Sequence, residues 1–390
     1  MLGTVRKEKF HIRDLNFRLI LYVLALSVIG ILVVHSATAG EVSNSLVSTT
    51  VKQVVGVAGG VFIMTVLAAI DYRKLVKYSW VFYIMAILSL VYLLLFVDAI
   101  YGAKRWIHIP LLGTIQPSEF AKPALLLFEA FLLYKIGDRI NKFYMVLLYL
   151  ICAAPVLFLI LKEPDLSTSI VIMLLILIGM FLGGISYKWI IGVIIALIPF
   201  IVLFFVFLYQ PGQEVLMKVF EEHQMQRINA YFFPEMYPSL TYQQNNSVMA
   251  IGSGGLLGKG LNTSSLESVK NGNFLSEEQC DFIFAVVGEE LGFVGCAVVI
   301  LLIVLIVIEC FLIARKCTDT VGKIIAGGVG GVLGCQSFIN MAVALMLIPN
   351  TGIPLPFVSA GLSSLLSSYI MIGLALSVSI YGRMKKRVFY

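Results

Sequence analysis

Charge is scarce in this chain. Asp, Glu, Lys and Arg make up 13% of its 390 residues, about half the share of an ordinary soluble domain, which excludes a soluble globular protein. Histidine is scarcer still. His11, His35, His108 and His223 are dispersed and form no ligand set. Cys152, Cys280, Cys296, Cys310, Cys317 and Cys335 contain no CxxC pair. That argues against a zinc site or a disulfide framework, and no metal site is read from the residues. The formal net charge is +6, but the basic residues stand in short loops beside apolar runs. That pattern encodes membrane topology and excludes nucleic acid as a partner.

Apolar length is what the chain has. Hydrophobic residues reach 59% and the mean hydropathy is +0.97. A membrane span takes roughly 20 apolar residues, which predicts ten, at about 16–37, 51–70, 76–97, 116–135, 143–161, 166–184, 188–209, 283–314, 324–348 and 356–382. The expected fold class is an all-α polytopic membrane protein. It is one domain over 1–390, with a single long extracytoplasmic loop at about 210–282, between spans seven and eight. The eighth run is too long for one perpendicular helix. The first run follows Arg6, Lys7 and Lys9 and precedes Ala37-Thr38-Ala39, so it imitates a signal peptide. Its length, and the consistent topology it gives, make it a span. Most of the 28 lysines and arginines, among them Arg73, Lys74, Lys77, Arg139, Lys142, Arg315, Lys316 and Arg383, fall on the side of the termini. Both termini are therefore expected in the cytoplasm.

On that topology the unusual polar residues gather at the outer side. The longest polar stretch runs into Asp281, the one aspartate of the 210–282 loop, at the lip of span eight. Asp281 suits a helix N-cap. It equally suits a general base on a sugar hydroxyl, where partial burial would raise its pKa. Glu289 and Glu290 lie about 12 Å further along a continuous helix, which does not support a two-carboxylate glycosidase. Glu119 and Lys122 are three apart and can pair on one helix face, either bracing the bundle or meeting substrate. Lys104, Arg105 and Trp106 combine two cations with an aromatic suited to headgroup depth, and Arg105 matches phosphate oxygens. Lys259 sits in a glycine-rich run, 252–260, without P-loop spacing. Such a run can cradle an anion or serve as a flexible loop.

Several long motifs then coincide with a known family. They are Lys104-Arg105-Trp106-Ile107, Gln116-Pro117-Ser118-Glu119 with Lys122, and Pro164-Asp165-Leu166 with Thr168. Further on come Ala250-Ile251-Gly252-Ser253-Gly254-Gly255, Gly258-Lys259-Gly260, Asp281-Phe282-Ile283-Phe284-Ala285, Gly288-Glu289-Glu290-Leu291-Gly292, and Gly352-Ile353-Pro354-Leu355-Pro356-Phe357-Val358-Ser359. Over nearly its whole length the chain resembles the SEDS proteins (shape, elongation, division and sporulation). The resemblance implies an inverting peptidoglycan glycosyltransferase that polymerises lipid II at the outer face of the bacterial cytoplasmic membrane. Asp281 would be the catalytic base, and undecaprenyl diphosphate the leaving group. It implies substrate binding by Lys104, Arg105, Trp106, Glu119, Lys122, Asp165, Ser253, Lys259 and Ser359, with Arg105, Lys122 and Lys259 as the diphosphate candidates. It also implies a divalent cation (Mg or Mn) as an aid to the leaving group, membrane lipids as surroundings, and a class B penicillin-binding protein as partner. The motifs depart from the family pattern at Gln279-Cys280 before the aspartate, at Ala360-Gly361-Leu362 after Ser359, and at Glu163 and Ser167 around Asp165. The alternatives are a lipid II flippase and a non-catalytic scaffold. A flippase needs polar residues through the bilayer, whereas only Glu129 and Glu309 lie deep.

Overall fold

The computed structural model describes residues 15–38, 48–97, 104–109, 113–163, 165–208, 222–262 and 279–382. The N-terminal basic cluster, Gly102-Ala103, Pro164 and the basic residues from Arg383 onward lie outside them. Each of the ten apolar runs carries one long helix. They are α1 (Phe17–Ala37), α2 (Thr49–Ala69), α4 (Ser79–Phe96), α5 (Pro117–Ile136), α6 (Phe143–Lys162), α7 (Leu166–Leu182), α8 (Tyr187–Leu208), α11 (Ile283–Lys316), α12 (Thr320–Ala344) and α13 (Leu362–Tyr381). A short α3 (Tyr72–Lys77) links α2 to α4. Seven of the ten are long and apolar enough to cross a membrane, which makes this a multi-pass membrane protein.

The helices sort into an inner and an outer set. Of their apolar windows, 72% of α12 and 89% of α13 are buried, against 28% in α2, α4 and α6. Glycine explains the central place of α12. A methyl at Gly330 would sit 2.9 Å from Cys310 Cβ, and one at Gly328 would meet Leu126, so small residues let α11 and α5 approach this helix closely. The eighth run resolves differently from one straight span. At Gly292 the backbone turns to φ 66°, ψ −164°, which splits α11 into a short first arm and a long second one.

One end of the bundle carries the chain's non-membrane structure. A two-stranded antiparallel hairpin, β1 (Ile107–Ile109) and β2 (Gly113–Ile115), precedes α5 with Ile107 opposite Ile115. From the long loop between α8 and α11 the structure describes two helices, α9 (Glu222–Phe232) and α10 (Pro238–Ser253). At the opposite end Asp319 accepts hydrogen bonds from Tyr72 (2.5 Å) and Arg73 (3.0 Å). There Arg73 also donates to the carbonyl of Tyr381, so α3, the start of α12 and the end of α13 are held together.

Candidate active site

Asp281 does not cap α11. The N-cap is Phe282, and no side chain caps that helix. The backbone around Asp281 is instead tethered from several helices. Asn340 of α12 donates to the Asp281 carbonyl (2.9 Å) and to that of Ile353 (2.7 Å). Ser359 donates to the carbonyl of Cys280 (2.6 Å) and accepts from Leu355 N (2.7 Å). Ala360 N donates to Gln279 (2.8 Å). The 350–361 segment thus forms a cradle for residues 279–281.

The Asp281 carboxylate faces this cradle. Gly352 has φ 72°, and a Cβ built there would lie 3.2 Å from Asp281 Oδ2 and 4.0 Å from Arg227 Nη1. The backbone conformation and the crowding both suit glycine. Arg227 comes from α9 and reaches the carbonyl of Asn350. Burial lowers its pKa, neighbouring Arg105 lowers it further, and Asp281 and Asp165 oppose the shift. Two guanidinium groups and two carboxylates therefore meet at one end of the bundle. Glu163, fully buried just past α6, joins them. Burial and neighbouring Asp165 push its carboxyl up to about 9, and Arg105 opposes the rise.

Asp165 is fixed rather than loose. It caps α7 through Thr168 N (3.1 Å), and accepts from Thr168 Oγ1 (2.8 Å) and from Gln116 (3.0 Å). Ser167 donates to the carbonyl of Thr351, which joins α7 to the cradle. Glu119 and Lys122 form the expected pair at 2.7 Å, with side chains 4% and 2% exposed. Lys122 also donates to Gln336 (3.0 Å), and Gln336 donates to the carbonyl of Pro354 (3.2 Å). The buried pair thereby supports the cradle from below.

Other residues expected at the site lie elsewhere or contribute differently. Lys104 donates to the carbonyl of Leu94 at the end of α4 (2.8 Å), and Trp106 is 38% exposed. Ser253 bonds within α10, to the carbonyl of Ala250. Lys259 pairs with Glu289 at 2.8 Å, and its backbone N–H meets the carbonyl of the same residue. Glu289 stands two turns along α11 from Asp281, so Lys259 braces the glycine-rich segment against that helix. Of the deep carboxylates, Glu309 is bound by Asn16 (2.8 Å) at the opposite end and Glu129 is fully buried.

Arg227, Gln336 and Asn340 also belong to this arrangement, and sequence reasoning missed them. The two amides left a signal: they are four apart, on one face of an apolar span. Arg227 left none. Among the described residues no group of three or more His, Cys, Asp or Glu could hold a metal ion. The carboxylates here face guanidinium groups, a donor set that does not fit a protein-held divalent cation.

The profile of the FtsW/RodA/SpoVE family, described as "Cell cycle protein", matches residues 17–384. The chain is 31% identical to the probable peptidoglycan glycosyltransferase FtsW of Trichlorobacter lovleyi, over 97% of this chain and 96% of that protein. It is 33% identical to the peptidoglycan glycosyltransferase MrdB of Escherichia coli K12, over 97% and 96%. Among solved structures, a chain of a peptidoglycan synthase complex that coordinates polymerization and crosslinking superposes with a TM-score of 0.76. It is 25% identical and covers 94% of this chain and 97% of its own. The rod shape determining protein RodA of Thermus thermophilus superposes with a TM-score of 0.65, covering 94% and 98%, and at 24% identity shows the shared fold.

Proposed function

The chain belongs to the FtsW/RodA/SpoVE family of cell cycle proteins and is a peptidoglycan glycosyltransferase, and from that premise we propose that it polymerises lipid II with Asp281 as the base. The observation that carries this reading is the meeting of Asp281 with Arg227, Arg105 and Asp165 beside Gly352. A carboxylate next to two like-charged guanidinium groups suits a reaction that takes a proton at one point and releases a diphosphate at another. In the step, Asp281 takes the proton of the acceptor's sugar hydroxyl. The hydroxyl oxygen bonds to the anomeric carbon of the donor. The bond from that carbon to the diphosphate breaks, and its electron pair leaves with undecaprenyl diphosphate. One displacement inverts the anomeric centre. Arg105 and Arg227 hold the departing charge, because guanidinium forks match phosphate oxygens. Lys122, sealed against Glu119 and Gln336, supports the site rather than binding diphosphate.

The excess of Lys and Arg at the far end of the bundle supports cytoplasmic termini, which sets this site at the outer face of the membrane. A class B penicillin-binding protein fits as partner, since the superposable synthase complex couples polymerization to crosslinking. The test is glycan polymerisation from purified lipid II, with and without the cognate transpeptidase. Loss of a positioned base lowers the rate about a hundredfold to ten-thousandfold, so a folded Asp281→Asn should yield no visible strands. Full polymerisation by that variant would refute the assignment.

A further inference from the structure

Gln336 and Asn340 share one face of α12 and are sealed inside the bundle, 0% and 1% exposed. A buried amide costs free energy unless it is hydrogen-bonded. In membrane proteins such side chains commonly tie one helix to another. These two bond elsewhere, to backbone carbonyls of two segments that are not helical. Gln336 Nε2 donates to Pro354 (3.2 Å). Asn340 Nδ2 uses both its hydrogens, one on Ile353 (2.7 Å) and one on Asp281 itself (2.9 Å).

One nitrogen thus fixes the spacing of the two segments that make the site. Ile353 follows Gly352, whose Cβ position lies 3.2 Å from Asp281 Oδ2. Ser359 and Ala360 act one and two residues away, on the carbonyls of Cys280 and Gln279. Helix α11 starts at Ile283 with no side-chain cap, so no cap bond steadies the chain just after Asp281. Behind the amides the ladder is anchored. Lys122 donates to Gln336 Oε1 (3.0 Å) and pairs with Glu119 (2.7 Å). A buried ion pair therefore holds one end of an amide ladder whose other end holds Asp281. Such exactness matters to a base, since a misplacement near 1 Å costs about a hundredfold in rate.

We propose that Asn340 is a positioning residue, which ties the Asp281 and Ile353 carbonyls to one amide and so aims the Asp281 carboxylate at the reacting hydroxyl, while Gln336 steadies the cradle alone. The proposal rests on the polymerase reading. Its test follows lipid II polymerisation by the full chain with its cognate transpeptidase. Asn340→Leu removes both bonds at similar volume and should lower kcat about a hundredfold. KM for lipid II should stay within about threefold of the wild type, because the interaction lost acts on the base and not on the diphosphate. Gln336→Leu should lower the unfolding temperature at least as much, and kcat far less. Equal losses of kcat in the two variants would make Asn340 a structural amide and overturn the proposal. So would a raised KM with kcat intact. If Asn340→Leu does not fold, Asn340→Gln decides, since it keeps the amide but carries it one methylene group further. A folded Asn340→Gln with the kcat of the wild type overturns the assignment.

A second readout needs no turnover. Cys280 is half-buried beside Asp281, and its thiol donates to the Ala360 carbonyl (3.0 Å). Alkylation of Cys280 by N-ethylmaleimide, followed by mass spectrometry of its peptide, reports opening of the 279–281 segment. Asn340→Leu should speed it about twofold to tenfold, the share of a local opening that one hydrogen bond controls, and Gln336→Leu should leave it near the wild-type rate. An unchanged rate in Asn340→Leu overturns the proposal. Full polymerisation by Asp281→Asn would refute the base assignment and leave these alkylation rates as they are.

Discussion

Two side-chain interactions decide how this site behaves. The Glu119–Lys122 pair is almost fully buried. Removing one partner leaves an uncompensated charge in a dry bundle, a loss of about 3–5 kcal/mol. Lys122→Met should therefore lower the thermal unfolding temperature sharply in detergent. Adding Glu119→Gln should recover part of the loss, and independent additive effects in that cycle would mean the pair is not coupled. Arg227 makes a different prediction. A hydrogen bond to a charged group contributes about 1.5–3 kcal/mol, so Arg227→Ala should raise KM for lipid II by about tenfold to a hundredfold while the protein stays folded. Arg227→Lys should recover little, because a point charge lacks the planar fork. An unchanged KM would remove Arg227 from the diphosphate site. The sequence offered the first interaction through its i,i+3 spacing. It gave no hint of the second, because an arginine in a mixed polar loop has no pattern that aims it.

Among the elements, the first arm of α11 and the glycine-rich segment form one backbone-on-backbone joint. A Cβ at Gly254 would fall 1.9 Å from the carbonyl oxygen of Gly288. One at Gly258, where φ is 79°, would fall 2.1 Å from that of Glu290. Gly260 N and Lys259 N donate to Glu290 and Glu289 (2.9 Å each). Gly258→Ala should then part the two elements and lower stability by more than the roughly 1–3 kcal/mol of local strain. Gly255 also has positive φ, but nothing lies within 4 Å of its Cβ position, so Gly255→Ala should lose only the strain. Equal unfolding temperatures for the two variants would contradict the joint. The excess length of the eighth run was legible from counting residues. The kink at Gly292 was not, because it is matched to another part of the chain: Phe293 N and Val294 N donate there to the carbonyls of Gly255 and Leu256, and a Cβ at Gly292 would collide with Gly258 N and Leu256. Helices α9 and α10 show no membrane run in their mixed composition, although α9 does carry an apolar stripe at Met225, Ile228 and Phe232 that could have marked it.

At the scale of the whole molecule, stability should depend on pH through Glu163. Its carboxyl titrates near 9 in the folded protein and near the ordinary carboxylate value when unfolded, about 4.3. The folded state therefore holds the proton more tightly, and stability falls as pH rises between those two values. Glu163→Gln should flatten the unfolding temperature across pH 5–9 and raise it at the alkaline end. A profile as steep as the wild type's would place the effect elsewhere. The bundle as a whole shows where the sequence sufficed. Apolar length by itself determined the membrane class and the ten long helices, because the bilayer sets a span length that composition must meet. The pairing of Glu119 with Lys122 was also local, one helical turn. Only the tertiary structure decided which cation faces Asp281. Arg227 arrives there because α9 folds back onto the 347–352 segment, while Lys259 is drawn off by Glu289. Those choices depend on which distant segments pack together, and packing is settled by shape and burial in three dimensions, which spacing along the chain does not encode.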